Sequence, residues 1–213
     1  MKKITLSILA LTLISLSASS QDESTMDVRT AVHAGVKIGI NRANVYDSKT
    51  EEFDAEPKLG FAGGAFISIP IGRYLGVQPE VLFSQKGFNG KGRFAGSNYD
   101  LKRTTNHLDI PLYFAVKPSP FLTIMAGPQF SYLLSKKDVF TNNQFTIEQE
   151  QDFNTENIKK NILGAAIGID INVKYVVFGL RANWDLQQNL GDGDSVSPRY
   201  KNQWIQASIG VRM

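Results

Sequence analysis

The sequence predicts an all-β protein, an eight-stranded antiparallel up-and-down transmembrane β-barrel preceded by a cleaved signal peptide. Three observations lead to this prediction. Apolar and polar side chains alternate with period two in eight segments, which is the pattern of β-strands. The apolar side of every segment lacks charged residues. The connections between the segments alternate between long and short, as they do in barrels that span a membrane.

The first 20 residues have the pattern of a signal peptide. Lys2 and Lys3 form a positive start, an apolar stretch follows, and small residues precede Gln21. This pattern predicts cleavage between Ser20 and Gln21 and leaves residues 21–213 as the barrel domain. A membrane anchor or a core helix is the alternative, but the apolar stretch is shorter than the roughly 20 residues that a spanning helix needs.

Eight segments of the remaining chain predict the strands in order. In the first segment, for example, Val36, Ile38 and Ile40 lie on one side, and Lys37 and Gly39 lie on the other. The same alternation recurs in each later segment, so every predicted strand has one apolar side. The predicted strands are residues 30–40, 58–69, 74–88, 104–116, 122–135, 162–171, 175–186 and 203–213.

The side opposite the apolar one is rich in Gly, Ala and Ser and carries only a few charged residues. A soluble sandwich or barrel would expose Lys and Glu on that side. Small residues instead suit the lumen of an eight-stranded barrel, which is just wide enough for side chains to fill. The apolar side then faces lipid, and the segments are long enough for the roughly 9–11 residues with which a tilted strand crosses the bilayer.

The connections predict which strand ends lie together. Four connections are long and polar, and three are tight. With the N-terminus in the periplasm, the long connections face the cell exterior and the even number of strands returns the C-terminus to the periplasm. The long connections are residues 41–57, 89–103, 136–161 and 187–202, and the tight ones are 70–73, 117–121 and 172–174.

Two further patterns concern the strand ends. The Gly-rich stretch 86–96 is interpreted as an extracellular loop. Aromatic residues near strand ends are expected to lie at the two membrane interfaces, where such residues form girdles in membrane barrels. These aromatic residues are Tyr74, Phe88, Phe121, Tyr132, Tyr175, Trp184 and Trp204.

Ten charged or titratable residues fall on the inward side of the strands and predict a polar network in the lumen. Because a lone buried charge is costly, these side chains must pair with one another. We interpret the network as structural, and we expect Glu80 to pair with Arg181 or Arg212 and to plug the lumen. The ten residues are His33, Lys37, Glu80, Lys86, His107, Asp109, Asp170, Arg181, Asp185 and Arg212.

No catalytic site is predicted. His107 and Asp109 share a side of one strand, and Ser84 or Ser131 would be the nucleophile of a hydrolase or acyltransferase. However, the sequence has only two His residues and contains neither an HExxH nor a GxSxG motif.

No metal or cofactor site is predicted either. The acidic residues Glu150, Asp152, Asp192 and Asp194 lie in predicted loops and are ligands of the type that hard cations prefer. Residues 191–194 read Gly-Asp-Gly-Asp, which is more typical of a turn. The absence of cysteine excludes disulfides, thiolate zinc sites and a cysteine nucleophile.

The charge balance argues against a nucleic-acid partner. The formal net charge is +3, but without Lys2 and Lys3 the remaining 21 basic residues face 20 acidic ones. A nearly neutral chain without a basic stripe is a poor nucleic-acid binder.

Several stretches resemble the outer-membrane β-barrel family that is common in Bacteroidetes and is often described as porin-family. The resemblance covers most of the mature chain, in order, and includes HAGVKIGIN (33–41), LGVQPEVLFSQKGF (75–88), LDIPLYFAVKP (108–118), LTIMAGPQFSYLL (122–134), LGAAIGIDI (163–171) and IQASIGVRM (205–213). It implies an eight-stranded barrel in the outer membrane, with outer-membrane lipid and the barrel-insertion machinery as partners. It does not imply a particular activity.

The expected function is that of an integral outer-membrane barrel with a structural, adhesive or small-solute role. Its long loops are the surface on which an unidentified protein or surface ligand would bind. A diffusion porin is disfavoured, because aqueous channels need about 16–18 strands. Three alternatives remain open: a barrel subunit of a secretion or gliding apparatus, a soluble periplasmic lipocalin-like ligand binder, and an outer-membrane lipid-modifying enzyme.

Overall fold

The computed structural model describes residues 28–46, 54–94, 97–142, 146–151, 160–189 and 200–213. The predicted signal peptide, with its cleavage site between Ser20 and Gln21, lies outside the described residues, as does the predicted turn at 191–194. None of the described helices is long and apolar enough to cross a membrane.

The described chain forms nine strands after a short 3₁₀ turn at Val28–Thr30. Eight of them close into an antiparallel barrel in the order β4-β3-β2-β1-β9-β8-β7-β5, because β5 also pairs with β4. The predicted eight-stranded barrel is therefore confirmed. The strands are β1 His33–Tyr46, β2 Asp54–Pro70, β3 Leu75–Phe94, β4 Ser97–Ser119, β5 Leu122–Asn142, β6 Thr146–Gln151, β7 Asn161–Val173, β8 Val176–Asp185 and β9 Lys201–Arg212.

The β6 strand is the one that the sequence does not predict. Residues 146–151 read TIEQEQ and pair with residues 136–141 of β5, outside the closed ring. The stretch 136–161 is mostly polar and has no sustained alternation of apolar and polar residues, so the sequence assigns it to a loop. The prediction of a loop there is wrong for the residues of β5 and β6.

The predicted loop at 89–103 is also wrong, because the chain continues as a β-hairpin through it. The β3 strand runs to Phe94 and β4 starts at Ser97, with Phe94 directly opposite Ser97. The Gly-rich stretch from Lys86 to Phe94 is therefore strand rather than loop. With β5 and β6, this hairpin forms a wall of strands that extends beyond the apolar belt of the barrel, and we call it the strand wall.

The two faces of the barrel have opposite polarity. Apolar side chains point outward, and Val36, Phe114 and Leu180 are 51%, 62% and 48% exposed. Charged side chains such as Lys37 and Arg181 are buried inside. A soluble lipocalin-like binder requires the reverse arrangement around its ligand, so this alternative is wrong.

Two of the aromatic residues expected at the membrane interfaces lie inside the barrel. Phe88 and Trp204 are 0% and 3% exposed. Phe88 lies on the same side of β3 as the buried Lys86, and Trp204 lies on the same side of β9 as the buried Gln206. The other five point outward and are all more than a third exposed, namely Tyr74, Phe121, Tyr132, Tyr175 and Trp184.

A β-bulge in β5 changes which side chains face the lumen. The register shifts so that His107 lies opposite Leu133 while Asn106 lies opposite Ser135. Leu133 keeps its inward position, but beyond the bulge Lys136 is buried, and Ser135 accepts a hydrogen bond from the outward-facing Asn106 at 2.8 Å. Uninterrupted alternation places Ser135 inward, which is wrong for this reason.

Close approach between strands requires glycine at Gly127. A Cβ atom there would lie 1.9 Å from the backbone oxygen of Leu112 on β4. No rearrangement of a flexible side chain relieves a clash with backbone, so β4 and β5 can pair closely at this level only if position 127 has no side chain.

Candidate functional site

The lower layer of the lumen is a group of ion pairs around Glu80. Its carboxylate pairs with Lys37 Nζ, lies 3.5 Å from Arg181 Nη2, and accepts a hydrogen bond from Gln78 Nε2 at 2.9 Å. Arg181 also donates two hydrogen bonds to Asp170, at 2.6 and 3.0 Å. Two cations and two carboxylates from four strands thus neutralise one another across the barrel.

Glycines on neighbouring strands make room for the Arg181 side chain. A Cβ atom at Gly168 would lie 2.3 Å from Arg181 Cδ, and one at Gly179 would lie 2.8 Å from Asp170 Oδ1. The guanidinium also stands 5.2 Å from the ring centre of Tyr113, within cation–π distance. The small residues of the inward face therefore provide the space that long charged side chains fill.

The middle layer is organised by Lys86. Its ammonium group donates to Asp109 Oδ1 at 2.9 Å and to Ser131 Oγ at 3.3 Å, and it lies 3.6 Å from the ring centre of Trp204. The Lys86 side chain is completely buried. The indole covers this cation from the N-terminal half of β9, so Trp204 has a structural role inside the barrel.

Hydrogen bonds from amide side chains connect the middle layer to the surrounding strands of the barrel. Asn41 donates to Ser84 Oγ at 2.9 Å and accepts from Gln206 Nε2 at 3.0 Å. Higher up, Asn202 donates to Asp185 Oδ2 at 2.6 Å. These contacts join β1, β3, β8 and β9 through their side chains as well as through their backbones.

The upper layer closes the lumen where the strand wall begins. Phe88 and Tyr200 pack edge to face with ring centres 5.2 Å apart, and Val45 belongs to the same buried cluster. Arg103 lies 5.7 Å from both ring centres and forms two hydrogen bonds of 2.8 Å with Asp138. An apolar cap with one ion pair thus covers the polar layers below it.

The Arg103–Asp138 pair lies beyond the apolar belt, and the contact with Arg103 changes the pKa of Asp138. Burial by itself would raise the pKa of Asp138. The hydrogen bonds and positive charge of Arg103, with a contribution from Lys136 at 3.3 Å, outweigh that effect and hold the pKa below its ordinary value of 3.8. Asp138 is therefore an anion at every physiological pH.

At the opposite end of the barrel, the lumen narrows to a cavity of about 20 Å³. This is room for about one water molecule. Lys117 and Arg212 are among the side chains that line it. Lys117 donates to Ser68 Oγ at 3.1 Å, and Arg212 donates to the Asn172 side chain at 3.2 Å. Polar side chains thus occupy this end too.

The structure brings eight of the ten sequence-predicted lumen residues into the barrel as buried side chains, namely Lys37, Glu80, Lys86, His107, Asp109, Asp170, Arg181 and Asp185. His33 and Arg212 are partly buried at the narrow end. Of the two partners expected for Glu80, Arg181 is in contact. Arg212 instead donates to Asn172 and to the Lys174 carbonyl.

Sequence reasoning missed the upper layer. Arg103, Asp138 and Tyr200 all fall in stretches that the sequence assigns to loops. Apolar and polar residues do not alternate from Lys102 to Asn106, so no strand signal marks this part of β4.

The serine-hydrolase geometry that the sequence leaves open does not form among the described residues. His107 Nδ1 has no hydrogen-bond partner there, while Asp109 and Ser131 both bind Lys86. The hydroxyl of Ser84 accepts from Asn41. Neither serine is thus joined to a His–carboxylate pair.

The described residues contain no group of three or more side chains suited to a metal ion. The acidic residues Asp152, Asp192 and Asp194 lie outside the described part of the chain, while Glu150 lies in β6.

The family follows from a match between the sequence and a family model. The model is described as "Outer membrane protein beta-barrel domain" and matches residues 19–192. The chain belongs to this family. Together with the outward apolar belt and the closed ring of strands, this membership places the protein in the outer membrane.

Solved structures of other outer-membrane barrels are similar to this chain. Ail, the attachment invasion locus protein of Yersinia pestis, is 12% identical, with a TM-score of 0.47 over 85% of this chain and 98% of Ail. OprG from Pseudomonas aeruginosa is 12% identical, with a TM-score of 0.41 over 86% of this chain and 97% of OprG. No curated protein matches the sequence.

Proposed function

We propose that this outer-membrane barrel does not conduct solutes and has a structural or adhesive role at the cell surface, without catalytic activity. The observation that carries the proposal is the filled lumen. Glu80, Lys86 and Arg181 are buried and paired within the barrel, and the cap around Phe88 lies over them. A lumen that its own side chains fill leaves the strand wall as the surface available to a partner.

The proposed orientation puts the strand wall outside the cell. Long connections face the exterior in this class of barrel, and the tight turns face the periplasm. The wall and the adjoining end of β2 carry exposed charged side chains of both signs, such as Lys91 and Glu56, which form a pair at 2.8 Å and are 59% and 53% exposed. A mixed polar surface of this kind suits contact with a protein or glycan rather than with lipid.

We also propose how the protein reaches the outer membrane. Residues 1–20 act as a signal peptide cleaved between Ser20 and Gln21, and the barrel-insertion machinery assembles residues 21–213 in the outer membrane. The stretches quoted above favour a Bacteroidetes-type member of the family. Outer-membrane lipid and an unidentified surface ligand are its partners.

Cysteine labelling tests the orientation cleanly because the chain has no natural cysteine. Lys91→Cys lies on the strand wall, and Arg73→Cys lies in a tight turn at the other end. A membrane-impermeant maleimide should label Lys91→Cys on intact cells, while Arg73→Cys should react only after the outer membrane is permeabilised. Labelling of Arg73→Cys alone on intact cells would overturn the proposed orientation.

The adhesive role is tested by shortening the strand wall. Gly90 is directly opposite Leu101, so an Asn-Gly turn in place of residues 91–100 closes the hairpin at a paired position. Cells that display the shortened chain should keep its heat-modifiable migration but lose the attachment to matrix-coated surfaces that the full chain gives. Equal attachment by cells with the full chain, the shortened chain or no chain would overturn the adhesive role.

A further inference from the structure

A cavity of about 280 Å³ opens on the outer surface of the barrel, at the edge of the apolar belt and on strands that do not belong to the strand wall. It spans four neighbouring strands, β2, β1, β9 and β8. Arg42 lies directly opposite Leu59 on one side and Ile205 on the other. One rung higher, Asn44 lies opposite Gln203, which in turn lies opposite Trp184. The volume is close to the lower end of the roughly 300–1,000 Å³ range of small-molecule pockets.

The upper part of this cavity has polar groups without protein partners. Arg42 is exposed, and it forms no ion pair or side-chain hydrogen bond with the part of the chain that the structure describes. The Oδ1 atom of Asn44 is buried and likewise has no hydrogen-bond partner there. An unsatisfied buried acceptor is costly, so a rotation of Asn44 toward the cavity is favoured once a donor is present.

The lower part of the cavity is lined by the apolar residues Ala182 and Ile205 and borders the apolar belt. Ala182 lies opposite Ile205, and Ala207, one rung below, lies between Ile40 and Leu180. These two small side chains leave a groove between larger ones on the lipid-facing surface. Trp184 forms one wall at the level of the headgroups, where an indole suits both lipid and water.

We propose that this cavity binds a phosphorylated glycolipid of the outer leaflet. The Arg42 guanidinium binds the phosphate, Asn44 and Gln203 bind hydroxyl or amide groups of the sugar, and an acyl chain lies in the groove over Ala182 and Ala207. Arginine suits this role because its planar fork donates two parallel hydrogen bonds to a phosphate. The assignment to the outer leaflet rests on the proposed orientation, whereas the binding chemistry does not.

Native mass spectrometry of the full chain in detergent tests the proposal with lipid A as the probe. The comparison lipids are lipid A without its phosphates and phosphatidylglycerol, which has a phosphate but no sugar. Lipid A should bind most tightly, and Arg42→Gln should weaken its binding about tenfold, the loss expected for a hydrogen bond to a charged group. Asn44→Ala should weaken it less, and Arg42→Lys should recover part of the affinity.

Arg73→Gln is the matched control, because Arg73 is an exposed arginine beside an aromatic ring, Tyr74, at the other end of the barrel. The Arg73→Gln variant should bind lipid A as tightly as the wild type does. Equal affinities for Arg42→Gln and Arg73→Gln would overturn the site. Phosphatidylglycerol binding as tight as that of lipid A, or displacement of lipid A by inorganic phosphate, would overturn the glycolipid assignment. None of these results depends on which end of the barrel faces the cell exterior.

Discussion

Replacement of Glu80 should be among the most damaging single changes in the lumen. Its side chain is fully buried, and Glu80→Leu would leave Lys37 and Arg181 with Asp170 as their one carboxylate in this layer. At an effective dielectric constant of about 20, unit charges 3.5 Å apart, the Glu80–Arg181 distance, interact by about 5 kcal/mol. After the desolvation of Glu80 is subtracted, we expect a loss of about 3–5 kcal/mol, as for other broken buried pairs.

A double-mutant cycle measures the interaction between Lys37 and Glu80 separately from their interactions with other residues. Lys37→Met with Glu80→Leu removes both charges and leaves the Arg181–Asp170 pair intact, with its 2.6 Å contact. The free energy of unfolding of the double variant should be within about 2 kcal/mol of the wild-type value, because an apolar pair of similar volume replaces a buried ion pair at little cost. Urea unfolding in lipid vesicles, followed by tryptophan fluorescence, gives the free energies. A double variant whose loss equals the sum of the two single losses would refute the reasoning.

Three further changes test other parts of the structure. Ile167→Lys places a charge in the middle of the lipid-facing belt and should cost about 2–4 kcal/mol in the same unfolding assay, whereas Ile167→Leu should cost less than about 1 kcal/mol. Gly127→Val should prevent β4 and β5 from pairing, so the protein should lose heat-modifiable migration, and a normally migrating variant would contradict the close approach. Asp138→Asn should lower the free energy of unfolding, and this loss should be largest above pH 5. The difference from the wild type should disappear as the pH falls well below 3.8, because the native state holds the pKa of Asp138 below that value. A difference that persists unchanged at pH 2 would show that the charge of Asp138 is not its cause.

The barrel could be predicted from the sequence because the membrane imposes a simple rule on each strand. A face that contacts lipid must be apolar. The alternation of Val36 with Lys37, and of Leu180 with Arg181, follows from this requirement. The inward charged residues follow from the same alternation. Their pairing does not, since register and distance across the lumen decide whether Glu80 contacts Arg181 or Arg212.

The strand wall could not be predicted in this way because no lipid contacts it. The sequence of residues 88–103 has no sustained alternation of apolar and polar residues, so nothing in it marks the strands that pair there. The bulge beside Leu133 is a second failure of alternation, because one extra residue reverses the faces of the strand beyond it. Phe88 and Trp204 are errors of another kind, because strand alternation itself puts them on the inward side with Lys86 and Gln206.

The most direct test of the account is the conductance of the wild-type protein in planar lipid bilayers. A lumen filled by paired side chains and capped by Phe88 and Tyr200 predicts no stepwise current under an applied voltage, and it predicts measurable leakage for Glu80→Leu. Regular, uniform conductance steps from the wild type would contradict the closed lumen, and the small-solute role would then replace the structural or adhesive one.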